Sequence, residues 1–179
     1  MSERGPRGGG RAPTVPAQLP LLDRLIDDAP DNQREVAPSA AETVGILRRS
    51  VRRDIEALLN AHRRWRSWPD GYTELDTSPV GYGISDFTSG AFNDPRRRDQ
   101  LRAEIEETIR RFEPRLTAVH VSLLGNKNQL EATLRLRIDA LLRVDPAPEP
   151  IAFDTLVDAA TSEVLVTAGA EGQQAQENV

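Results

Sequence analysis

The chain has 179 residues, 38% of them hydrophobic and 28% charged, with no cysteine and two histidines, His62 and His120. That composition excludes disulfides, thiolate metal sites and cysteine nucleophiles, and it leaves no ligands for a multi-histidine metal centre. A net charge of −5 supplies no global field for nucleic acid or an anionic membrane, and no apolar run reaches the roughly 20 residues of a membrane span.

Residues 1–20, rich in Gly, Pro and Arg, show no hydrophobic period and read as a disordered tail. They lack the apolar stretch of a secretory signal, which points to a cytoplasmic protein. Leu21, Leu22, Leu25 and Ile26 then form a short apolar helical stripe ended by Pro30. A helix this short must dock, either on its own domain or on another subunit. The remainder of 21–42 reads as a polar linker, and 43–167 as a single domain.

Val44, Leu47, Val51, Ile55, Leu58, His62 and Trp65 recur at spacings of three or four, which predicts a helix from Thr43 to Trp65 capped by Thr43 or Ser39. Its Arg-rich outer face suits an acidic protein partner; without aromatic platforms or a reading motif, nucleic acid is not expected. His62 reads as a histidine at the core edge. Residues 67–94 read as a long loop, expected to pack its Trp68, Tyr72, Tyr82, Phe87 and Phe92 onto the core. Asp94 and Pro95 are a cap and a first helical residue. Leu101, Ile105, Ile109 and Phe112 follow as the buried stripe of a second helix that Pro114 stops.

Beyond Pro114 the pattern changes to strands. Val119, Val121 and Leu123 alternate with Ala118, His120 and Ser122. After turn residues 125–128, Leu134, Leu136, Ile138, Ala140, Leu142 and Val144 alternate with a second set containing Arg135, Arg137, Asp139 and Arg143. One covered and one polar face are implied. Pro146, Pro148 and Pro150 connect to a last hairpin, Ile151–Val157 and Glu163–Thr167, before a flexible tail at 168–179. Two helices followed by four strands imply an α+β fold: two main helices on one face of a largely antiparallel four-stranded sheet.

Motifs for hydrolases, metalloproteases, phosphate loops and dinucleotide binding are absent, and the aspartates at 27, 28 and 54 read as caps or solvated charges. The distinctive feature is Glu113-Pro114-Arg115 at a helix-to-strand junction. With it stand Leu21-Leu22-Asp23-Arg24-Leu25, Ser50-Val51-Arg52-Arg53-Asp54-Ile55-Glu56-Ala57-Leu58-Leu59-Asn60, Tyr82-Gly83-Ile84-Ser85-Asp86-Phe87 and Arg137-Ile138-Asp139-Ala140-Leu141-Leu142-Arg143. In this order they resemble the lysozyme-like baseplate wedge family of contractile tails, on its type VI secretion branch, the TssE subunits. The likeness spans about residues 20–167; Ser85 departs from it, where the family tends to have proline.

The resemblance implies a non-enzymatic baseplate subunit without cofactors, on the cytoplasmic side of the inner membrane. Its partners would be other wedge subunits, sheath subunits and hub or tube proteins, with no nucleic acid and no membrane insertion. Glu113, Pro114 and Arg115 would join it to the baseplate. Leu21, Leu22 and Leu25 would serve docking, and the Val164 and Val166 strand would receive strands from the first sheath ring. From the residues themselves, Glu113 and Arg115 either engage a partner or pair internally. The rival reading is a muramidase, which needs two neighbouring carboxylates, one of them protonated. Glu113 is flanked by Arg110, Arg111 and Arg115, which favour negative charge, and no second acid is evident by spacing. A wedge protein of a phage-like contractile particle is the third possibility.

Overall fold

The computed structural model describes residues 21–25, 39–63, 67–69, 71–86, 94–125, 133–145, 147–158 and 160–169. Among the described residues there are three α-helices, α1 (Leu21–Leu25), α2 (Ala40–Asn60) and α3 (Pro95–Phe112). Two short strands, β1 (His62–Arg63) and β2 (Ile84–Ser85), pair in parallel. Strands β3 (Leu116–Leu124), β4 (Thr133–Leu142), β5 (Glu149–Asp158) and β6 (Val164–Ala168) form an antiparallel meander in sequence order. The expected α+β architecture is therefore present.

Helix α2 begins earlier than its apolar stripe implied and takes the last residues assigned to the linker. Ser39 Oγ accepts from the Glu42 N–H while the Glu42 carboxylate accepts from the Ser39 N–H at 2.7 Å, a reciprocal capping box. The helix also ends at Asn60, five residues before Trp65, which lies outside the described residues. The chain turns extended there so that His62 and Arg63 can pair with Ile84 and Ser85. His62 is consequently exposed on β1, a correction to its expected place at the core edge. Gly83, at φ +101°, permits this pairing, because a Cβ there would overlap the Ala61 carbonyl. Ser85 donates its N–H (2.8 Å) and Oγ (2.6 Å) to Glu104, which also binds Arg63, so proline would remove both Ser85 bonds.

The long loop contains a 3-10 helix, Thr73–Thr77, and β2, and its aromatics do not all pack down. Tyr72 is exposed and Trp68 is half-buried, while Tyr82 sets its ring edge-on against Phe112 at 5.3 Å. Phe87 and Phe92 lie outside the described residues.

Helix α2 packs over β6 and α3 over β3. Val51, Ile55, Leu59, Ile105 and Ile109 meet Val121, Leu136, Ile138, Val157 and Val166 in one core. In β3 the alternation is interrupted at Ala118, which takes φ 50° in a register shift between Thr117 and His120. The other sheet face is less polar than its sequence pattern implied. Leu124, Arg135, Leu156 and Leu165 form one cross-strand row, and all three of its leucines are exposed. Among the described residues no helix is long and apolar enough to cross a membrane.

Candidate docking sites

The helix-to-strand corner is built around Pro114. The Glu113 N–H bonds the Ile109 carbonyl at 2.9 Å, closing α3, and the Glu113 carbonyl accepts from the Leu116 N–H at 3.1 Å, closing the turn. Arg115 then enters the sheet, its carbonyl accepting from Arg143 N–H at 2.8 Å. Pro114 is exposed at the apex, whereas Glu113 is only 4% exposed.

A buried carboxylate needs a partner, and Arg115 supplies it. Its Nε donates to Glu113 Oε1 at 2.6 Å and its Nη2 to Glu113 Oε2, a bidentate fork. The same guanidinium reaches α2, with Nη2 to Asp54 Oδ2 at 2.6 Å and Nη1 to Ser50 Oγ at 3.2 Å. The internal pair left open by the sequence is therefore formed, and it ties the corner to α2. The bonds to Glu113, reinforced by those to Asp54, raise the Arg115 pKa further despite burial and keep the guanidinium charged. Burial first, then the negative charges of Asp54 and Glu113, raise the Tyr82 phenol.

Asp54 and Ser50 are the site members that the sequence reading missed. Asp54 is no mere solvated charge, since it is the second carboxylate on Arg115. The available signal was the four-residue spacing of Ser50 and Asp54, which places them together beside the buried Val51 and Ile55. A second acid thus does lie near Glu113, but Arg115 occupies the space between them. A cleft of about 430 Å³ lies elsewhere, lined by residues including Trp68, Tyr72 and Asp76 and by neither Glu113 nor Asp54.

Leu21, Leu22 and Leu25 of α1 are 70%, 56% and 71% exposed, so they do not bury against the domain in the described structure. Val164 and Val166 are the reverse, with side chains buried under α2, so what these two residues can offer a partner is main chain.

Asp158 N–H bonds the Glu163 carbonyl, and Gly169 N–H bonds the Ala152 carbonyl. By the alternation of an antiparallel ladder, the polar groups of Val164, Val166 and Ala168 point away from β5. Asn60 meets two of them, its Nδ2 donating to Val164 O at 2.8 Å and its Oδ1 accepting from Val164 N–H at 2.9 Å. Arg52 Nη1 donates to Val166 O at 2.9 Å. The opposite edge, on β3, is closed by α3. Val121 N–H donates to Glu106 at 2.9 Å, while Arg102 and Arg110 donate to the carbonyls of Val121 (3.3 Å) and Val119 (2.7 Å). Glu106 also pairs with Arg102 and Arg110. Burial works against its ionisation, but the Val121 N–H and the charges of Arg110, His120 and Arg102 outweigh it and hold its carboxyl below the ordinary range.

No curated protein matches the chain. The chain is similar to one in a solved structure described as the baseplate complex from the type VI secretion system, at 18% identity and TM-score 0.43, covering 67% of this chain and 99% of that one. The family model for baseplate wedge protein gp25 matches residues 46–147, more than half of the chain and inclusive of the corner. The chain belongs to the baseplate wedge protein gp25 family, with a structural role in a baseplate.

Proposed function

We propose that this chain is a docking subunit of a type VI secretion baseplate, held to neighbouring wedge or hub proteins through its corner and α1 and linked to the first sheath ring through β6. Such a subunit works on the cytoplasmic side of the inner membrane and performs no chemistry. The observation that carries this reading is the corner itself: Pro114 is presented at the surface while Glu113 and Arg115 behind it are locked to α2. A rigid apex loses little conformational freedom on binding. The ordered motifs from Leu21 to Arg143 support the type VI branch over a phage-like particle, and sheath, tube and wedge genes beside this one would confirm it.

Pro114→Glu changes an exposed residue, so the monomer should unfold at its usual midpoint while co-purification with the neighbouring wedge subunits is lost. Undiminished capture would remove the corner from the interface. For sheath initiation, strand addition at β6 predicts that Ala168→Pro stops sheath growth and spares wedge association. Ala168 is the suitable position because its N–H faces outward; proline at Leu165 or Thr167 would break the ladder to β5 instead.

The muramidase reading draws on one observation, the closeness of Asp54 to Glu113. Arg115 binds both, however, so one guanidinium engages the two carboxylates that glycoside cleavage would need facing a sugar. Peptidoglycan release by the purified chain, dependent on Glu113, would restore that reading.

A further inference from the structure

The two sheet edges are closed by different chemistry. On β3 the outward groups are held by three charged side chains that also hold one another, and bonds from ionised groups are the stronger kind. On β6 the Val164 N–H and carbonyl are both held by one neutral, solvent-exposed amide, that of Asn60. The Asn60 side chain makes the pair of bonds that a residue of an adjacent strand would make, from the last position of α2, where its Nδ2 also donates to the Glu56 carbonyl at 2.8 Å; rotation about its own side-chain bonds breaks all three together. Farther along, a groove of about 140 Å³ runs beside Ala168 and Gly169, lined by Arg48, Arg49 and Arg52. Arg48 is bonded to Glu149 and Arg52 to Glu56 and Val166, while Arg49 is exposed.

We infer that Asn60 is a displaceable strand mimic that keeps the β6 edge closed in the free chain, and that its natural replacement is an extended partner segment carrying acidic side chains opposite Arg49 and Arg52. The inference rests on the strand-addition reading above and adds the residue that yields and the charge of the partner. Exposed edges invite unwanted pairing, and a neutral side-chain amide closes one reversibly. An incoming main chain restores both Val164 bonds, replaces the Arg52 bond at the Val166 carbonyl and adds new ones at the Val166 N–H and Ala168, which frees Arg52 for the partner's acidic side chains. Acidic side chains gain from the arginines that line the groove, whereas basic ones are repelled.

The test uses the full chain and two alternating valine–threonine peptides, identical except that one carries glutamates and the other lysines. In Asn60→Ala the Val164 amide should exchange about tenfold faster. The same variant should bind the glutamate peptide about fivefold more tightly than the parent, the yield of removing one competing hydrogen-bonded pair. Adding Ala168→Pro should abolish binding, and the lysine peptide should not bind. Unchanged exchange or affinity in Asn60→Ala overturns the role of Asn60. Equal binding of both peptides overturns the acidic partner but leaves strand addition standing. Binding of neither peptide by any variant defeats strand addition at β6 altogether. Peptide-free self-association of Asn60→Ala, abolished by Ala168→Pro, would make the occupant a second copy of this chain and overturn the assignment.

Discussion

Arg115 faces two carboxylates, one of them almost fully buried, so its removal costs more than the loss of a surface pair. Arg115→Ala strands Glu113 without a counter-charge and should destabilise the chain by about 3–5 kcal/mol, read as a lowered urea midpoint. Glu113→Gln leaves a polar group that can still accept from Arg115, and it should cost less, about 1–2 kcal/mol. Equal losses in the two variants would contradict this ordering. Glu106 gives a prediction in pH. Its folded-state carboxyl is held low, so its contribution is complete above the unfolded value and disappears as pH falls through the folded one. Glu106→Gln should therefore lower stability at neutral pH and flatten its decline in acid, as followed by thermal melts across that range. Pro114 and the Asp94 cap were legible because each acts on its immediate neighbours. Asp54 was not, since nothing in a sequence states which arginine, 61 positions away, will fold onto it.

For the elements, local patterning carried the meander: period two along 134–142 put the buried set on the correct face, strand by strand. It failed at α2, where the apolar stripe runs on through His62 and Trp65 but pairing with β2 pulls the chain out of the helix. That pairing depends on residue 83 having no side chain, because the position is both left-handed and in contact with the Ala61 carbonyl. Gly83→Ala should cost about 1–3 kcal/mol. Its amide-exchange signature should be confined to 61–63 and 83–86, with the four-stranded sheet keeping its protection. Exchange spread evenly over the sheet would show that the small parallel pair is part of the same cooperative unit. The bulge at Ala118 had no sequence signal, as an alanine at φ 50° is held there by the ladder on either side.

Across the whole molecule, surfaces divide into those the domain uses for itself and those it leaves over. The α1 leucines belong to the second group, so changing Leu21, Leu22 and Leu25 to serine should alter monomer stability by no more than about 0.5 kcal/mol. The same triple variant should lose co-purification with wedge subunits; a large drop in monomer stability would instead place α1 on its own domain. The α+β architecture and the E-P-R corner were readable from order and spacing along the chain. Which sheet edge stays shut, and by what, was invisible, because Asn60 and Val164 are brought together only by the packing of α2 across β6.

The clasp between Arg115 and Asp54 has a mechanical consequence. A tug on the apex at Pro114 does not peel the turn away from its helix one bond at a time. It is shared at once between the end of α3, the start of β3 and the middle of α2, so three elements resist as a single stiff bracket.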